Sequence, residues 1–382
     1  MDQKHINILT ILPILGHPRD SKRITMLQQA GFVVEVVAFE RDYHTGRLPT
    51  CPIERLGKIT NKHYFRRILK IIIAIPTIRR AIQRNQIIYA SGQDMAATAL
   101  IAGLGLHKHV VLEVGDITDL QLSKGIKGFI MRSIEKRLVN LYRLLVVTSP
   151  DFLNVYYRKW LKVKTPALII ENKLEPSSID NTIAQNFSSQ LSGKPLIDRP
   201  LRIGYFGLLR DKWSWEVLEK LASLGPHKFE IILAGLPINP IDIPQRIKKY
   251  INMKYLGNYR SPQGLPSLYN SVDMIWACYP YIKPNDWNLR WAIPNRFFES
   301  CAFRKPTFAR AGCHFALDVE HYKIGMIIKN HEVKKVVDTI CKIQIDDLML
   351  WQKNLSKIPR NIYMYTTEGH NLSRAIKKIV QK

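Results

Sequence analysis

Along the chain, short and nearly continuous aliphatic runs alternate with longer segments whose apolar residues recur at helical spacing. Ile6–Leu12, Val33–Phe39, Gln86–Ala90, His109–Val114, Leu144–Thr148 and Ala167–Ile170 read as strands, and Ser21–Ala30 as a helix stopped by Gly31. Strands without polar alternation belong to a parallel sheet covered on both faces. The alternation pauses over Ser177–Pro200, rich in Ser, Asn, Gln and Asp, and restarts at Leu201–Gly207. Phe229–Gly235, Met253–Leu256, Met274–Cys278, Pro306–Ala309 and Met326–Ile328 follow. The pattern predicts an α/β chain of two doubly wound domains. They span residues 1–176 and 201–360, with a linker over 177–200 and a C-terminal helix within 361–382 that packs back on the first domain. Ligands of such sheets lie at the carboxyl ends of the strands, so a cleft between the domains is the expected site. There is no tandem repeat and no low-complexity tract.

Composition agrees with this and adds one fact. A chain of 382 residues with 46% hydrophobic and 23% charged residues suits two globular domains and argues against long disorder. Met1–Lys4 lead into the first strand without a cleavage-site signature. The longest apolar run, Ile68–Ile75, contains Lys70 and ends at Pro76, well short of the about 18 residues of a membrane span. Five scattered cysteines without C-x-x-C spacing fit free thiols in a reducing cytoplasm and offer no metal site. The added fact is a formal net charge of +26, which calls for a polyanionic partner: nucleic acid, an anionic membrane or phosphorylated substrates.

Two segments of the second half carry candidate chemistry. Gly207 ends a strand and precedes Arg210, Lys212 and a helix from about Ser214 to Ser223. A glycine permits close backbone approach, a helix start offers amides, and two cations suit a diphosphate. In Pro294-Asn295-Arg296-Phe297-Phe298-Glu299, Asn295 is a good N-cap and Glu299 follows on the same face one turn later. A carboxylate there can accept hydrogen bonds from both hydroxyls of a ribose. Taken alone, the segment is equally a capped surface helix with an early acid, and Arg210 and Lys212 are equally solvated loop cations.

The order of these pieces is more telling than any one of them. Gly207/Arg210/Lys212, Tyr255–Gly257, Leu268–Asp273 and Pro294–Glu299 with Lys305-Pro306 succeed one another over residues 200–330. This resembles the donor-binding domain of GT-B glycosyltransferases, and more narrowly the retaining family 4. The resemblance implies two Rossmann-like domains facing a cleft and transfer of a sugar from a UDP- or GDP-linked donor. It further implies no metal or other cofactor, and retention at the anomeric carbon. Arg210 and Lys212, with Asn295 and Arg296 at the helix start, would hold the diphosphate, and Glu299 the ribose. One departure stands out: Trp291 occupies the position where the family carries a sugar-contacting Glu, leaving Asp286, Asn288 or Asn295 as substitutes. In the first half, the loop after the first strand contributes Gly16, His17 and Arg23, which by the resemblance would lie against phosphate and acceptor. Asp116, beyond the strand ending at Val114, would orient an acceptor hydroxyl or act as base, with His17 as the other catalytic candidate.

The charge is densest between Arg55 and Gln93, with nine Lys/Arg and no Asp or Glu. Arg66, Arg67, Lys70, Arg79 and Arg80 there alternate with long aliphatics, and Ser123–Arg143 repeats the mixture around a single Glu135. Basic amphipathic helices are membrane-surface elements; ordinary core helices with solvated basic faces remain the alternative. Helix-turn-helix, zinc-finger and RNP signatures are all missing, so no nucleic-acid partner is expected. The expected protein is a cytoplasmic enzyme of surface-polysaccharide synthesis, peripheral on the inner membrane face; the alternatives are a GT-B-shaped sugar-nucleotide epimerase or phosphorylase, or a basic nucleic-acid-binding protein. The expected enzyme's partners would be a nucleotide sugar, a lipid-linked glycan acceptor and an anionic membrane.

Overall fold

The computed structural model describes residues 6–41, 48–59, 64–176, 199–279 and 286–381. Nearly all of the expected linker, residues 177–198, lies outside them. The chain forms two compact units. The first is Met1–Glu171 together with Thr367–Lys382, and the second is Asn172–Thr366.

The first unit is a seven-stranded parallel sheet: β1 (Asn7–Leu12), β2 (Val33–Glu40), β3 (Ile53–Lys58), β4 (Ile87–Ser91), β5 (His109–Val114), β6 (Leu144–Val147) and β7 (Ala167–Ile169). Their order is β3-β2-β1-β4-β5-β6-β7. Ile8, Leu9 and Ile11 of β1, and Ile87 and Ile88 of β4, are fully buried, which is why these runs lack polar alternation. β3 escaped the hydrophobic pattern. It is an edge strand with the half-polar sequence Ile-Glu-Arg-Leu-Gly-Lys and no fully buried residue. The helix Glu368–Val380 returns to this unit, where Gly369 packs against Met26 of the helix Pro18–Gln29.

The second unit has six parallel strands: β8 (Leu201–Leu209), β9 (Phe229–Pro237), β10 (Met253–Tyr255), β11 (Met274–Trp276), β12 (Thr307–Arg310) and β13 (Gly325–Ile328), in the order β10-β9-β8-β11-β12-β13. One face is covered by Trp213, Val217 and Leu218 of the helix Lys212–Ala222, the other by Phe297, Phe298 and Cys301 of the helix Asn295–Ala302.

The amino edge of this sheet is held by ion pairs. Asp273, just before β11, accepts from Arg199 (2.7 and 3.0 Å) and from Arg202 at the start of β8 (2.9 Å to Nη2). Against its burial, these bonds hold the Asp273 carboxyl below the usual range. Lys305, before β12, joins the cluster, and burial first of all pushes its ammonium down to about 8. Two pieces of the family-like pattern, Asp273 and Lys305, therefore brace the edge opposite the one where ligands of such sheets bind.

Lys305 yields a pH prediction. The unfolded chain binds its proton up to about pH 10.4, while the fold releases it near 8, so folding stability attributable to this group rises with pH across that window. Chemical denaturation of wild type and Lys305→Met at pH 7 and pH 10 should show wild type gaining roughly 2–3 kcal/mol relative to the variant. A pH-independent difference would contradict the buried, depressed ammonium.

Candidate functional site and similar proteins

Each sheet has one crossover point where the strand order reverses, between β1 and β4 in the first unit and between β8 and β11 in the second. Connections leave in opposite directions there, so the carboxyl strand ends open onto a crevice.

In the second unit, β8 runs two residues past Gly207, and near their carboxyl ends β8 and β9 carry a close pair of glycines. Gly207 (φ 103°) pairs with Gly235 (φ 119°) of β9, and a Cβ on Gly235 would lie 2.0 Å from the Gly207 carbonyl oxygen. Only glycine tolerates both that backbone and that approach. The following helix, Lys212–Ala222, differs from expectation at its start. Buried Asp211 caps it, accepting from the amides of Trp213 (3.1 Å) and Ser214 (2.8 Å) and from the Ser214 hydroxyl. The Ser214 oxygen in turn accepts from Trp276 Nε1 (2.7 Å). The amides expected to face a phosphate are thus occupied by a protein carboxylate. Arg210 remains exposed, with its guanidinium 5.8 Å from the centroid of the Tyr279 ring. Lys212 is exposed as well and pairs with Glu216 at 3.6 Å.

The helix Asn295–Ala302 also starts differently. Pro294 holds the N-cap position and no side chain caps the helix; Asn295 is the first helical residue, and its Oδ1 accepts from Asn172 Nδ2 (2.6 Å). Arg296 turns inward and is 9% exposed. Its Nη1 donates to the Trp276 carbonyl (3.2 Å), and its guanidinium lies over the rings of Tyr205 (4.9 Å) and Tyr279 (5.9 Å). Among the described residues no carboxylate forms an ion pair with it. Arg210 and Arg296 therefore flank one ring at the end of β11.

Glu299, one turn on, is 6% exposed and accepts a hydrogen bond from Tyr269 Oη (2.7 Å). Tyr269 is fixed by stacking on Phe303 (4.8 Å) and an edge contact with Phe206 (5.5 Å). The Tyr259 phenol, raised by burial first and then by the Glu299 charge, has its hydroxyl 3.9 Å from where a Cβ of Gly207 would stand. Gly207, Tyr259, Tyr269 and Glu299 thus share one neighbourhood. Sequence reasoning assigned these tyrosines no role. Tyr269 lies within the Leu268–Asp273 run and Tyr259 two residues beyond Tyr255–Gly257, but nothing local marks a tyrosine as facing a carboxylate. Trp291 is 4% exposed and stacks on Trp287 (5.5 Å), so that position is apolar core with no carboxylate to offer a sugar.

In the first unit, Gly16 (φ 81°) and His17, at the N-cap position, lead into the helix Pro18–Gln29. His17 Nδ1 lies 3.8 Å from Asp20, whose carboxyl is raised by burial and accepts from Ser91 Oγ (2.9 Å) at the end of β4. Asp116 is exposed just beyond β5. Arg23 requires correction. Expected at the ligand loop, it is 1% exposed within the helix and donates to both Glu113 oxygens (2.9 and 3.0 Å) and to the Ile170 carbonyl (3.2 Å). Against the effect of burial, Arg23 holds Glu113 ionised, and Tyr89 Oη donates to the same carboxylate. Arg23 is a structural counter-ion.

The basic stretch is corrected in part. The helix Tyr64–Arg84 exposes Arg66, Lys70 and Arg80, although Lys70 donates to the Lys58 carbonyl. Arg67 pairs with Asp94, and half-buried Arg79 donates to the carbonyls of Ala102 (2.8 Å) and Leu104 (2.9 Å). Both tie this helix to Gln93–Ala102 rather than standing free. What the charge pattern missed is apolar: Ile68, Leu69, Ile72 and Ile73 are more than half exposed, as are Ile126 (80%) and Phe129 on the helix Ile126–Val139. No helix among the described residues is long and apolar enough to cross a membrane.

No protein-family model matches the chain. The succinoglycan biosynthesis protein ExoL of Rhizobium meliloti is 27% identical over 347 residues, covering 88% of this chain and 84% of that protein. Among solved structures, sucrose-phosphate synthase from Thermosynechococcus elongatus superposes with a TM-score of 0.74 at 13% identity, covering 98% of this chain and 99% of that one. Anabaena HepE in complex with UDP-glucose gives 0.68 at 15% identity, over 98% of this chain and 100% of that one. With its two parallel-sheet units, each wound about one crossover, the chain has the Rossmann-like two-domain fold of the GT-B glycosyltransferases.

Proposed function

We propose that this protein is a glycosyltransferase of surface-polysaccharide biosynthesis, transferring a sugar from a UDP- or GDP-linked donor to a lipid-linked or oligosaccharide acceptor at the cytoplasmic membrane face. The observation that carries the reading is the convergence of Gly207, Arg210, Arg296 and Glu299 at the β8–β11 crossover. Glu299, oriented by Tyr269, is assigned to the ribose hydroxyls. Arg210 and Arg296, with Lys212 and the uncapped helix start at Asn295, are assigned to the diphosphate, and they stabilise its charge as the bond to the anomeric carbon breaks. Asp116, with His17, is assigned to the acceptor hydroxyl, whose proton leaves as the new glycosidic bond forms. Retention rests on the likeness to family 4. The likenesses to ExoL and to HepE with UDP-glucose support the polysaccharide context and the donor class.

Glu299→Gln keeps an acceptor for Tyr269 and removes the charge. Titration with UDP and GDP should show at least about tenfold weaker binding of the preferred nucleotide with little change in melting temperature. Undiminished affinity would remove the ribose assignment.

The membrane assignment rests on mixed surfaces. Ile68, Leu69, Ile72 and Ile73 alternate with Arg66 and Lys70, and Ile126, Phe129, Ile130 and Ile134 with Lys127, Lys136 and Arg137. The one acid of these two helices, Glu135, is buried and accepts from Gln93, Tyr156 and Tyr157. Aliphatics entering the headgroup region beside cations, with no exposed acid, suit an anionic leaflet. Ile72→Glu/Ile73→Glu and Phe129→Glu/Ile130→Glu should each cut sedimentation with phosphatidylglycerol vesicles several-fold. Unaltered binding by both variants would refute the docking surface.

A further inference from the structure

The first unit contains a second guanidinium whose surroundings differ from those of Arg23, one turn away. Arg19 is 16% exposed. Its Nε approaches Asp20 at 3.6 Å and Glu113 at 3.8 Å, beyond hydrogen-bond reach, and is buried without a hydrogen-bond partner. Both carboxylates are engaged elsewhere, Glu113 with Arg23 and Tyr89, and Asp20 with Ser91. The terminal nitrogens lie instead against Gly115, directly after β5. A Cβ there would stand 1.3 Å from Nη1 and 2.7 Å from Nη2. The guanidinium thus occupies the space that a side chain at position 115 would take. Against the effect of burial, three acids nearby, Asp20, Glu113 and exposed Asp116, keep Arg19 charged, and its fork of donors lies by Gly115 at the carboxyl end of β5.

We propose that Arg19, seated on Gly115, is a binding residue for a phosphate oxyanion in the first unit. A planar guanidinium placed by nearby carboxylates, whose terminal nitrogens have no hydrogen bond among the described residues, is pre-organised for bidentate contact with such a group. The oxyanion belongs either to the nucleotide donor or to a phosphate-bearing acceptor, and both share this chemistry. The inference does not require that the protein transfer sugars.

The test uses the full-length protein and the variants Arg19→Gln, Gly115→Ala and Arg23→Gln. One calorimetric arm titrates UDP, and the other titrates inorganic pyrophosphate into protein saturated with UDP. Arg19→Gln is expected to weaken binding about tenfold in one arm, and Gly115→Ala to do the same with the charge retained. Loss in the UDP arm identifies the donor, and loss in the pyrophosphate arm identifies an acceptor phosphate. Arg23→Gln, which removes a counter-ion, should chiefly lower the melting temperature. The proposal is overturned if Arg19→Gln and Gly115→Ala bind as wild type in both arms. It is also overturned if Arg19→Gln destabilises the fold as much as Arg23→Gln and leaves both affinities intact.

Discussion

The organisation of the second unit turns on the buried charge of Arg296. A guanidinium removed from water is costly unless something replaces its hydration. Among the described residues the replacement comes from the Trp276 carbonyl, a side-chain hydrogen bond with Tyr205, and the faces of the Tyr205 and Tyr279 rings. Cation–π contacts of this kind contribute about 0.5–2 kcal/mol each, enough to hold the group in place but short of a carboxylate's neutralising effect. A second guanidinium, Arg210, approaches the same Tyr279 ring from the exposed side. The nearby carboxylate of Asp211 is committed to capping the helix Lys212–Ala222. The crossover therefore carries two guanidinium groups that form no ion pair with a carboxylate among the described residues, beside a close pair of glycines and a carboxylate held by a tyrosine. The proposed nucleoside diphosphate, anionic and hydroxyl-bearing, is a ligand of the chemistry that arrangement would accept.

The first unit shows the contrasting solution. Arg23 is more deeply buried than Arg296, yet its charge is fully matched by Glu113, whose remaining capacity is taken by Tyr89. Such a closed set braces the helix Pro18–Gln29 against β4 and β5 and leaves nothing for a ligand. One helical turn earlier, Arg19 stands beside the same carboxylate without bonding to it. Two arginines four residues apart on one helix thus differ: Arg23 hydrogen-bonds Glu113, whereas among the described residues Arg19 has only longer ion-pair contacts, to Asp20 and Glu113.

Much of the fold was legible in the residue pattern, because strands buried on both faces must be continuously aliphatic. β1, β5 and β8 declare themselves in this way. β3 did not, since an edge strand needs no such run. Gly207 could be singled out because a close backbone approach needs glycine, and Glu299 because of its place in a family-like order; both belong to the proposed site. Arg23 was misplaced because sequence gives its distance along a loop but not the direction of its side chain, and Glu113, its partner, lies 90 residues away. Asp273 and Lys305, two pieces of the family-like pattern, lie in this chain in the ion cluster at the amino edge. The roles of Tyr259, Tyr269 and Tyr279 were invisible because each depends on contacts made across the sheet rather than along the chain.

The central claim is that a nucleotide engages the β8–β11 crossover of the second unit. Amide hydrogen exchange of the whole protein with and without saturating UDP or GDP tests it most directly, since it locates protection without assuming a reaction. The account predicts protection concentrated at residues 207–211, 276–279 and 294–300. Nucleotide-dependent protection confined to other segments, or none with either nucleotide, would contradict it.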